Sequence, residues 1–429
     1  MIMHVDANSF YASCERIFRP DLADSPIAVL SNNDGITIAL DSICSSLGFR
    51  RGDAYFREKY AYKAKNVAVF SSNYTLYADI SMRLNLLYSW YAPETEPYSI
   101  DESFLFYPDW RNISFTALAQ ELRTETLRQI HIPVSVGIAP TKTLAKMCNK
   151  LAKKYGGVCS WQEIDGEAAL AQYPASDVWG IGHSKAGILA RFGIHTAYDL
   201  ANFPLDKAKK HLSITGFRTV QELNGIQTSG CPSPEMRQNI SVSKSFARGV
   251  TGTAELETAL AEYTQIAVTR MRAEGTACTV VSVYLMTARA YGGENRDGEY
   301  FNSALAKLPC ATSYLPAILR AAAGLLHGIY RSGYSYRKLM VSLIGLEKDE
   351  ETQYELFDGD QSCRQKKYRE VMSACDSINS KYGRGTIHPC MRNETAEEKK
   401  NGSKSAWIMQ RSFLSPSYTT RFSELPEVF

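Results

Sequence analysis

The stretch Tyr98-Ser99-Ile100-Asp101-Glu102-Ser103-Phe104 sets two adjacent carboxylates into an apolar, strand-forming run. A carboxylate in such a run carries a desolvation cost unless a cation neutralises it. In a regular strand Asp101 and Glu102 point to opposite faces, so both can face one cation only if the chain bends or bulges there. The stretch therefore indicates a metal site at a distorted strand.

A third carboxylate has a similar setting near the start of the chain. Ile2-Met3-His4-Val5 is typical of a short strand that ends at Asp6, and Asn8 or Ser9 can cap a following helix. Oxygen ligands on two strands suit Mg²⁺, and two such ions can clamp the attacking and leaving oxygens of a phosphoryl transfer. Either motif alone is more often structural, a strand end in solvent or a helix cap. A metal site therefore requires that the two motifs meet in space.

Length and composition indicate a soluble globular chain of several domains, with 429 residues, 45% of them hydrophobic and 22% charged. The net charge of +3 is too small to predict nucleic-acid binding by itself, so any basic surface must be local. Ten cysteines are scattered singly, as in proteins with reduced thiols. Because no apolar run reaches the length of a membrane span, we expect a cytoplasmic protein without a membrane partner.

Residues 1 to about 165 alternate between strand-like and helical patterns, which predicts a mixed α/β region that holds all three acids. Asn33-Asp34-Gly35 lies between two strand-like runs and predicts a hairpin turn. The strand-like runs after the first are Ile27 to Leu30, Ile36 to Leu40, Val67 to Phe70 and Val134 to Ile138.

The segment from Ile138 to Trp161 contains five lysines and no acid. At about 100° per residue, four lysines fall on one side of a helix and apolar residues on the other, so the pattern predicts ammonium groups that point outward. Such a stripe is usually a solvated face, but without acidic partners it repels itself and indicates a polyanion nearby. The four lysines are Lys142, Lys146, Lys150 and Lys153.

Residues 166 to about 230 are helical in pattern, and Trp179-Gly180-Ile181-Gly182-His183-Ser184-Lys185 opens one helix. Its glycines can let backbone amides approach a phosphate, although glycines also make ordinary turns. Ser229-Gly230-Cys231-Pro232-Ser233-Pro234 is typical of a linker. Beyond it the pattern predicts a β-α-β-β-α-β order over 240–346, where eleven Lys and Arg outnumber seven acids.

The chain beyond residue 347 is polar, with two apolar residues, Leu356 and Phe357, in Gln353-Tyr354-Glu355-Leu356-Phe357. Apolar residues in such a setting are typical of a peptide that docks in the pocket of another protein, and a short strand on its own domain is an equally good interpretation.

Two stretches together resemble the catalytic motifs of the Y-family translesion DNA polymerases: His4-Val5-Asp6-Ala7-Asn8-Ser9-Phe10-Tyr11-Ala12-Ser13-Cys14-Glu15 and Tyr98-Ser99-Ile100-Asp101-Glu102-Ser103. The resemblance covers nearly the whole chain and is strongest with the UmuC-type members, the catalytic subunits of bacterial DNA polymerase V. Further matching stretches follow in the same order: Leu30-Ser31-Asn32-Asn33-Asp34-Gly35, Ser71-Ser72-Asn73-Tyr74, Val178-Trp179-Gly180-Ile181-Gly182 and Leu414-Ser415-Pro416-Ser417-Tyr418-Thr419-Thr420-Arg421. Several motifs in one order are more specific than any single motif.

The resemblance implies an α+β multidomain fold, a right-hand polymerase with palm, small fingers, helical thumb containing a helix-hairpin-helix, and a β-α-β-β-α-β little finger. Its domains would be a palm at 1–165 with fingers inserted at about 25–75, a thumb at 166–230, a linker at 231–239, a little finger at 240–346 and a C-terminal tail at 347–429 with a UmuC-type end. The implied function is error-prone, template-directed DNA synthesis in the SOS response to DNA damage.

The resemblance also implies roles for individual residues. Two Mg²⁺ ions would be held by Asp6, the Ala7 carbonyl, Asp101 and Glu102, and the incoming dNTP would meet Phe10, Tyr11 and Lys153. Tyr11 corresponds to the family's steric gate against the ribose 2′-OH, whereas from the residues alone it would be a packed core tyrosine. The residues implied to contact primer-template DNA are Gly180, Gly182, Lys185, Lys244 and Arg248. The residues implied to contact a sliding clamp are Gln353, Leu356 and Phe357. Further implied partners are a UmuD′-like subunit and a RecA filament.

The sequence departs from the family pattern in the fingers. Ser42 and Ser45 stand where family members commonly carry a tyrosine and a cation, and Arg50 or Arg51 could replace that cation. Two alternatives therefore remain open: a catalytically weakened relative that mainly binds DNA and the clamp, and a different palm-type nucleotidyl transfer such as cyclisation.

Overall fold

The computed structural model describes residues 1–108, 113–154, 156–228, 230, 236–288, 299–349, 359–383, 385–389 and 410–425. The chain forms two compact units, Met1–Ser233 together with Arg411–Phe429, and Pro234–Gln410. No helix within the described ranges is both long and apolar enough to cross a bilayer.

The first unit is built on a five-stranded sheet in the order β5-β6-β1-β7-β8. Its strands are β1 (Ile2–Ala7), β5 (Glu94–Pro97), β6 (Glu102–Phe106), β7 (Val134–Ala139) and β8 (Val158–Ser160). All pairs are antiparallel except β7 with β8. Helices cover both faces, and every residue of β7 is buried, so the central strands need apolar residues on both sides.

Alternation along β1 assigns its side chains to two different cores. Met3, Val5 and Ala7 pack with helices α1 (Phe10–Ile17), α4 (Tyr74–Tyr88) and α5 (Phe115–Ile130). Ile2 packs on the other face, toward α6 (Lys142–Ala152). Because successive side chains alternate between faces, the side chain of Asp6 lies on the α6 face with that of Ile2.

A small second sheet lies within the first unit, in the order β3-β2-β4. It consists of β2 (Ile27–Leu30), β3 (Thr37–Leu40) and β4 (Ala68–Ser71), with helices α2 (Ser42–Ser46) and α3 (Tyr55–Ala64) between the last two strands. Strands β2 and β3 are antiparallel, and the turn between them holds Asn33 and Asp34 at positive φ. The predicted hairpin is therefore confirmed.

Four helices follow β8 in the first unit: α7 (Gly166–Gln172), α8 (His183–Arg191), α9 (Ala197–Ala201) and α10 (Leu205–Leu223). Their apolar residues share a core with Leu144, Met147 and Cys148 of α6. This packing confirms the prediction that the apolar side of the lysine-bearing helix faces a core.

The second unit follows the predicted β-α-β-β-α-β order. Its elements are β9 (Asn239–Val250), α11 (Thr253–Ala273), β10 (Thr276–Thr287), β11 (Phe301–Thr312), α12 (Leu315–Ile329) and β12 (Tyr336–Lys348). The four strands form an antiparallel sheet in the order β11-β10-β12-β9. Helix α13 (Gly359–Tyr382) packs on this unit, where Met372 is buried and Arg272 bonds to Asp376.

The last described segment of the chain is 410–425. The part of it from Arg411 onward belongs to the first unit, whereas α13 belongs to the second. The chain beyond β12 is thus divided between the two units.

Candidate active site

Asp6 and Glu102 are direct neighbours across the central sheet. They are register partners in the antiparallel pair β1–β6. Phe104, two residues after Glu102, packs in the core on the α6 face, so alternation directs the Glu102 side chain to that same face. Two of the three predicted carboxylates therefore share one face of the sheet.

Asp101 lies in a bend immediately before β6 begins at Glu102. Its carbonyl oxygen accepts a 2.9 Å bond from the backbone N–H of Ala7, and its Oδ1 accepts a 2.5 Å bond from the Ser99 hydroxyl. The backbone N–H groups of Tyr98 and Ser99 both donate to the Glu102 carbonyl, which closes the turn. The expectation that the chain departs from a regular strand at the acid pair is confirmed.

The lysine stripe of α6 does not point freely into solvent as predicted. Each lysine bonds to an acid from another element, and Lys142 is 5% exposed. The segment that carries these lysines contains no acid. The acids that pair with them come from strands and loops that are distant in the sequence. The four Nζ–carboxylate pairs are Lys142–Glu96 (2.5 Å), Lys146–Glu102 (2.9 Å), Lys150–Asp177 (2.6 Å) and Lys153–Asp6 (2.6 Å).

Lys146 is held by aromatic rings as well as by Glu102. Its Nζ lies 4.5 Å from the Tyr98 ring centroid and 5.4 Å from that of Trp179, within the range of cation–π attraction. The Trp179 indole N–H donates to the Tyr98 hydroxyl at 3.1 Å. Sequence reasoning did not assign Trp179 to this site.

Burial and charge shift two pKa values here in opposite directions. Burial raises the pKa of Asp6, Lys153 opposes that rise, and the neighbouring charges of Glu102 and Asp101 add to it. Burial, with the positive charges of Lys146 and Lys153, holds the pKa of His4 well below its usual value. His4 is therefore neutral near pH 7 and contributes no counter-charge to the carboxylates.

The chemistry of the donors fits Mg²⁺, because carboxylate and carbonyl oxygens are its preferred protein ligands. No cluster of three His, Cys, Asp or Glu side chains within the described ranges is arranged to hold a metal ion. The lysines explain this arrangement: Lys146 and Lys153 contact carboxylate oxygens that would face a divalent ion. A metal would have to displace these ammonium groups and draw in Asp101.

A cavity of about 260 Å³ opens beside the carboxylates and is lined by His4, Asp6, Glu102, Lys146, Lys150 and Lys153 among other residues. Both carboxylates and ammonium groups border it, so it can accept a ligand that carries anionic groups together with cations.

Tyr11 is half-buried on α1, close to the acids, and the charge of Asp101 contributes to raising its pKa after burial itself. Its ring stacks on Tyr77 with centroids 4.4 Å apart and meets the edge of Tyr74 at 6.0 Å. Phe10, predicted beside it, is 3% exposed in the core, so only its backbone could contact a nucleotide.

The sequence offered Asn8 or Ser9 as a cap for α1, and Ser9 occupies the N-cap position without a capping side chain. Its backbone is left-handed (φ 46°), and its side chain makes no capping hydrogen bond. In this conformation the hydroxyl cannot reach the free amides of the first turn.

Gly182 is the N-cap of α8, within the stretch that the sequence predicts to open a helix, and Gly180 has a positive φ of 86°. Lys185 turns inward, because its Nζ donates to the Gly180 carbonyl at 2.9 Å and to the Thr215 hydroxyl at 2.7 Å. The lysine thus ties the hairpin to α10 through two neutral acceptors.

The predicted DNA-contacting residues of the second unit both have acidic neighbours. Lys244 bonds to Glu262 at 2.8 Å, and the exposed Arg248 lies 3.7 Å from Glu255. The clamp-like residues Gln353, Leu356 and Phe357 and most of the 231–239 linker lie outside the described residues.

Ser42 and Ser45 both lie in α2. Ser45 donates to the Asp41 carbonyl at 2.8 Å within α2. Arg50 and Arg51 are exposed, and neither side chain has an ion-pair partner within the described ranges. Either guanidinium is thus free to contact an anionic ligand.

Known proteins match the chain along most of its length. The impB/mucB/samB family matches residues 5–150, its C-terminal domain matches 237–356, and a domain of unknown function, DUF4113, matches 369–428. Protein UmuC of Salmonella typhimurium is 37% identical and Protein MucB of the same organism 35% identical, each over 99% of both chains. DNA polymerase IV of Moorella thermoacetica is 28% identical over 90% of this chain and 94% of its own.

Among solved structures, a Y-family DNA polymerase chimera matches with a TM-score of 0.66 and 18% identity, covering 80% of this chain and 98% of its own. This likeness confirms the expected fold class, a mixed α/β right-hand polymerase. The chain belongs to the UmuC, MucB, ImpB and SamB family of Y-family DNA polymerases.

Proposed function

We propose that Asp6, Asp101 and Glu102, with the Ala7 carbonyl, are the metal-binding centre of this error-prone translesion DNA polymerase. The observation that carries the proposal is the direct pairing of Asp6 with Glu102 across β1 and β6, with Asp101 in the adjoining bend. Burial raises the pKa of Asp6, and the charges of Glu102 and Asp101 add to that rise; carboxylates gathered this closely are stabilised by added positive charge. Two Mg²⁺ ions are the cations we expect, since two metals suit phosphoryl transfer.

When bound, the two ions would lower the pKa of a primer 3′-OH and neutralise charge on the departing pyrophosphate. The chain's own residues supply position and further charge. Lys153, whose side chain is 45% exposed, reaches the Asp6 carboxylate from the end of α6. With Asp6 bound to a metal ion, the Lys153 ammonium group would no longer pair with that carboxylate and would be free to bind the triphosphate of a dNTP.

Lys146 has a narrower range of movement than Lys153. It is 16% exposed and held between Glu102 and the rings of Tyr98 and Trp179. We therefore assign it to positioning Glu102, and not to binding phosphate. Its ammonium group holds the Glu102 carboxylate on the face of the sheet that Glu102 shares with Asp6.

Tyr11 is the proposed steric gate against ribonucleotides. Its ring is half-buried, and the stacked Tyr77 and the edge of Tyr74 limit its movement. A ring held in this way can exclude a 2′-OH because it cannot turn aside without breaking the stack. Deoxyribonucleotides lack that hydroxyl and would fit.

DNA contacts outside the site are proposed at two places. Gly180 and Gly182 present the backbone of the α8 hairpin, which can contact phosphates without reading sequence. In the second unit, Lys244 and Arg248 on β9 are candidates for a second backbone contact. In family terms, we assign 1–165 to palm and fingers, 166–230 to the thumb and 240–346 to the little finger.

The proposed partners follow from the family and not from contacts in this structure. They are primer-template DNA, a dNTP, a sliding clamp bound through Gln353, Leu356 and Phe357, a UmuD′-like subunit and a RecA filament, within the SOS response in the cytoplasm.

The test is primer extension with Mg²⁺ on undamaged and lesion-containing templates, with and without a sliding clamp. We expect the wild-type protein to extend both, and Asp101→Ala and Glu102→Ala to lose nearly all turnover while still binding DNA. Asp79→Asn, which alters an exposed pair with Arg83, is the matched control. Near-normal extension by either active-site variant would refute the metal-site assignment. DNA binding without extension by the wild type would favour the weakened relative.

A further inference from the structure

The terminal segment Arg411–Tyr418 is bonded into the first unit. The backbone N–H of Ser71 donates to the Phe413 carbonyl at 2.9 Å, and the Phe413 N–H donates to the Ser71 hydroxyl at 2.9 Å. Tyr418 stacks on Phe18 with ring centroids 4.5 Å apart and is 7% exposed. The segment belongs to the match with a domain of unknown function, so its place in the fold is informative about that domain.

Asn73 joins this segment to helix α4. Its side-chain oxygen accepts from the Leu76 N–H at 3.3 Å as the N-cap of α4, while its Nδ2 donates to the Ser415 hydroxyl at 3.0 Å. A cap residue fixes the first turn of its helix. The first turn of α4 carries Tyr74 and Tyr77, so a contact that holds Asn73 also holds these two rings.

A second connection runs through Glu15, which is fully buried on α1. Its Oε1 accepts a 2.7 Å bond from the Tyr77 hydroxyl. Its Oε2 has no donor within hydrogen-bond distance in the described part of the chain. Burial raises the pKa of Glu15, and the side chains of Tyr77 and Ser415 oppose that rise. The hydrogen bond from Asn73 to the Ser415 hydroxyl is the direct connection between the terminal segment and the helix turn that carries Tyr77.

Tyr77 in turn supports Tyr11. The two rings stack at 4.4 Å with only 17° between their planes. Tyr11 and Glu15 lie four residues apart on α1 and so share one face of that helix. Ser415, Asn73 and the first turn of α4, which carries Tyr77, therefore connect the terminal segment to Tyr11, the proposed sugar gate.

We propose that the terminal segment, through Ser415, positions Tyr11 and thereby sets how strictly the site rejects the ribose 2′-OH. Ser415 is a positioning residue and does not touch the substrate. The proposal rests on the proposed function, because it assumes that Tyr11 faces the sugar of an incoming nucleotide. It assigns to this part of the unknown-function domain a role in substrate selection.

The test compares full-length wild type, Ser415→Ala and Ser417→Ala. Ser417 is the matched control, because it lies in the same segment, its backbone N–H donates to Glu424 at 2.6 Å, and Asn73 bonds to Ser415 and Pro416 instead. We expect Ser415→Ala to keep normal dNTP extension while its kcat/KM ratio of dNTP to rNTP falls about fivefold, the effect of about 1 kcal/mol from one hydrogen bond. In a Tyr11→Ala background, Ser415→Ala should change the ratio no further.

A second measurement does not depend on catalysis. Hydrogen exchange of the backbone amides in the first turn of α4 should be faster in Ser415→Ala than in wild type and in Ser417→Ala. Faster exchange together with the lowered ratio would support the proposal.

The remaining outcomes separate the proposal from the function. Unchanged selectivity and exchange in Ser415→Ala, with selectivity lost in Tyr11→Ala, would overturn the positioning role and leave the gate in place. Unchanged selectivity in Tyr11→Ala would overturn the gate and the positioning proposal together. If the wild-type protein does not extend primers, the proposed function is wrong. In that case, unchanged hydrogen exchange of the first turn of α4 in Ser415→Ala would also show that Ser415 does not support this helix.

Discussion

Lys153 and Asp6 are 147 residues apart in the chain and are joined by a 2.6 Å bond between Nζ and Oδ1. The lysine follows the last residue of α6, and the aspartate lies in β1, which contacts that helix. Their side chains differ in exposure, 45% for Lys153 and 15% for Asp6. The exposed partner is the one that can move, so the pair can open toward a ligand without exposing the aspartate.

Lys153→Ala should weaken dNTP binding more than it slows chemistry. Removal of one phosphate-binding cation is expected to raise the KM for dNTP about tenfold, since a charge-assisted hydrogen bond contributes about 1.5 kcal/mol or more. Lys154→Ala is the control, because the adjacent Lys154 is also exposed and is not among the residues that line the cavity. Steady-state nucleotide titration measures both constants, and equal KM values for the two variants would remove Lys153 from the triphosphate site.

Tyr11→Ala should admit ribonucleotides. Loss of the ring is expected to lower the dNTP to rNTP ratio of kcat/KM by about tenfold or more, the discrimination that one pocket contact provides. Tyr11→Phe keeps the ring and its stack on Tyr77, so it should retain wild-type selectivity. Single-nucleotide insertion opposite an undamaged template base measures the ratio. Loss of selectivity in the phenylalanine variant as well would show that the hydroxyl, and not the ring, makes the discrimination.

Local patterns were enough to predict much of this fold. Strand β2 has the bounds expected from its apolar run, because a short buried strand between turn residues has few alternatives. The β-α-β-β-α-β order of the second unit could also be predicted from the sequence, because each of its elements has one apolar face. These features depend on residues close together in the chain.

The pairs that complete the site could not be predicted in the same way. Lys142 meets Glu96 and is buried, although helical periodicity alone placed it on an outward stripe. The partner comes from a strand 46 residues earlier, and periodicity carries no information about such pairs. One local indication in the sequence places Glu15 near the ring of Tyr11, namely its position four residues further along the helix. There is no such indication for Ser415.

Gly137→Ala tests the close approach that positions the lysine-bearing helix on the sheet. A Cβ at Gly137 would lie 2.1 Å from the Ala145 carbonyl oxygen and 2.2 Å from the Asn149 backbone nitrogen. Both are backbone atoms of α6, so the helix itself would have to shift. We expect a loss of about 3 kcal/mol or more in the free energy of unfolding.

The control for this change is Gly35→Ala, where an added Cβ meets no atom within 4 Å and φ is −83°. It should alter stability by less than about 0.5 kcal/mol. Urea unfolding followed by tryptophan fluorescence compares the two variants. Similar midpoints for both would mean that α6 and β7 are less closely packed than the structure indicates.

Glu15 should make the first unit less stable as the pH rises. Burial raises the pKa of Glu15 to about 7, against the lowering effects of Tyr77 and Ser415. Between its usual value near 4.5 and about 7, the folded protein therefore holds a proton that the unfolded chain has released. The free energy of unfolding falls across this window and is constant above it, with a total loss of about 3 kcal/mol.

Glu15→Gln removes this titration and keeps an oxygen that can accept the Tyr77 hydroxyl. The variant should therefore gain stability relative to wild type as the pH is raised from 5 to 8, with the two proteins closest at pH 5. Urea unfolding midpoints of the two proteins at a series of pH values measure the difference. A difference that stays constant over this range would mean that Glu15 is already ionised in the folded protein at pH 5, and that Tyr77 and Ser415 together outweigh the cost of its burial.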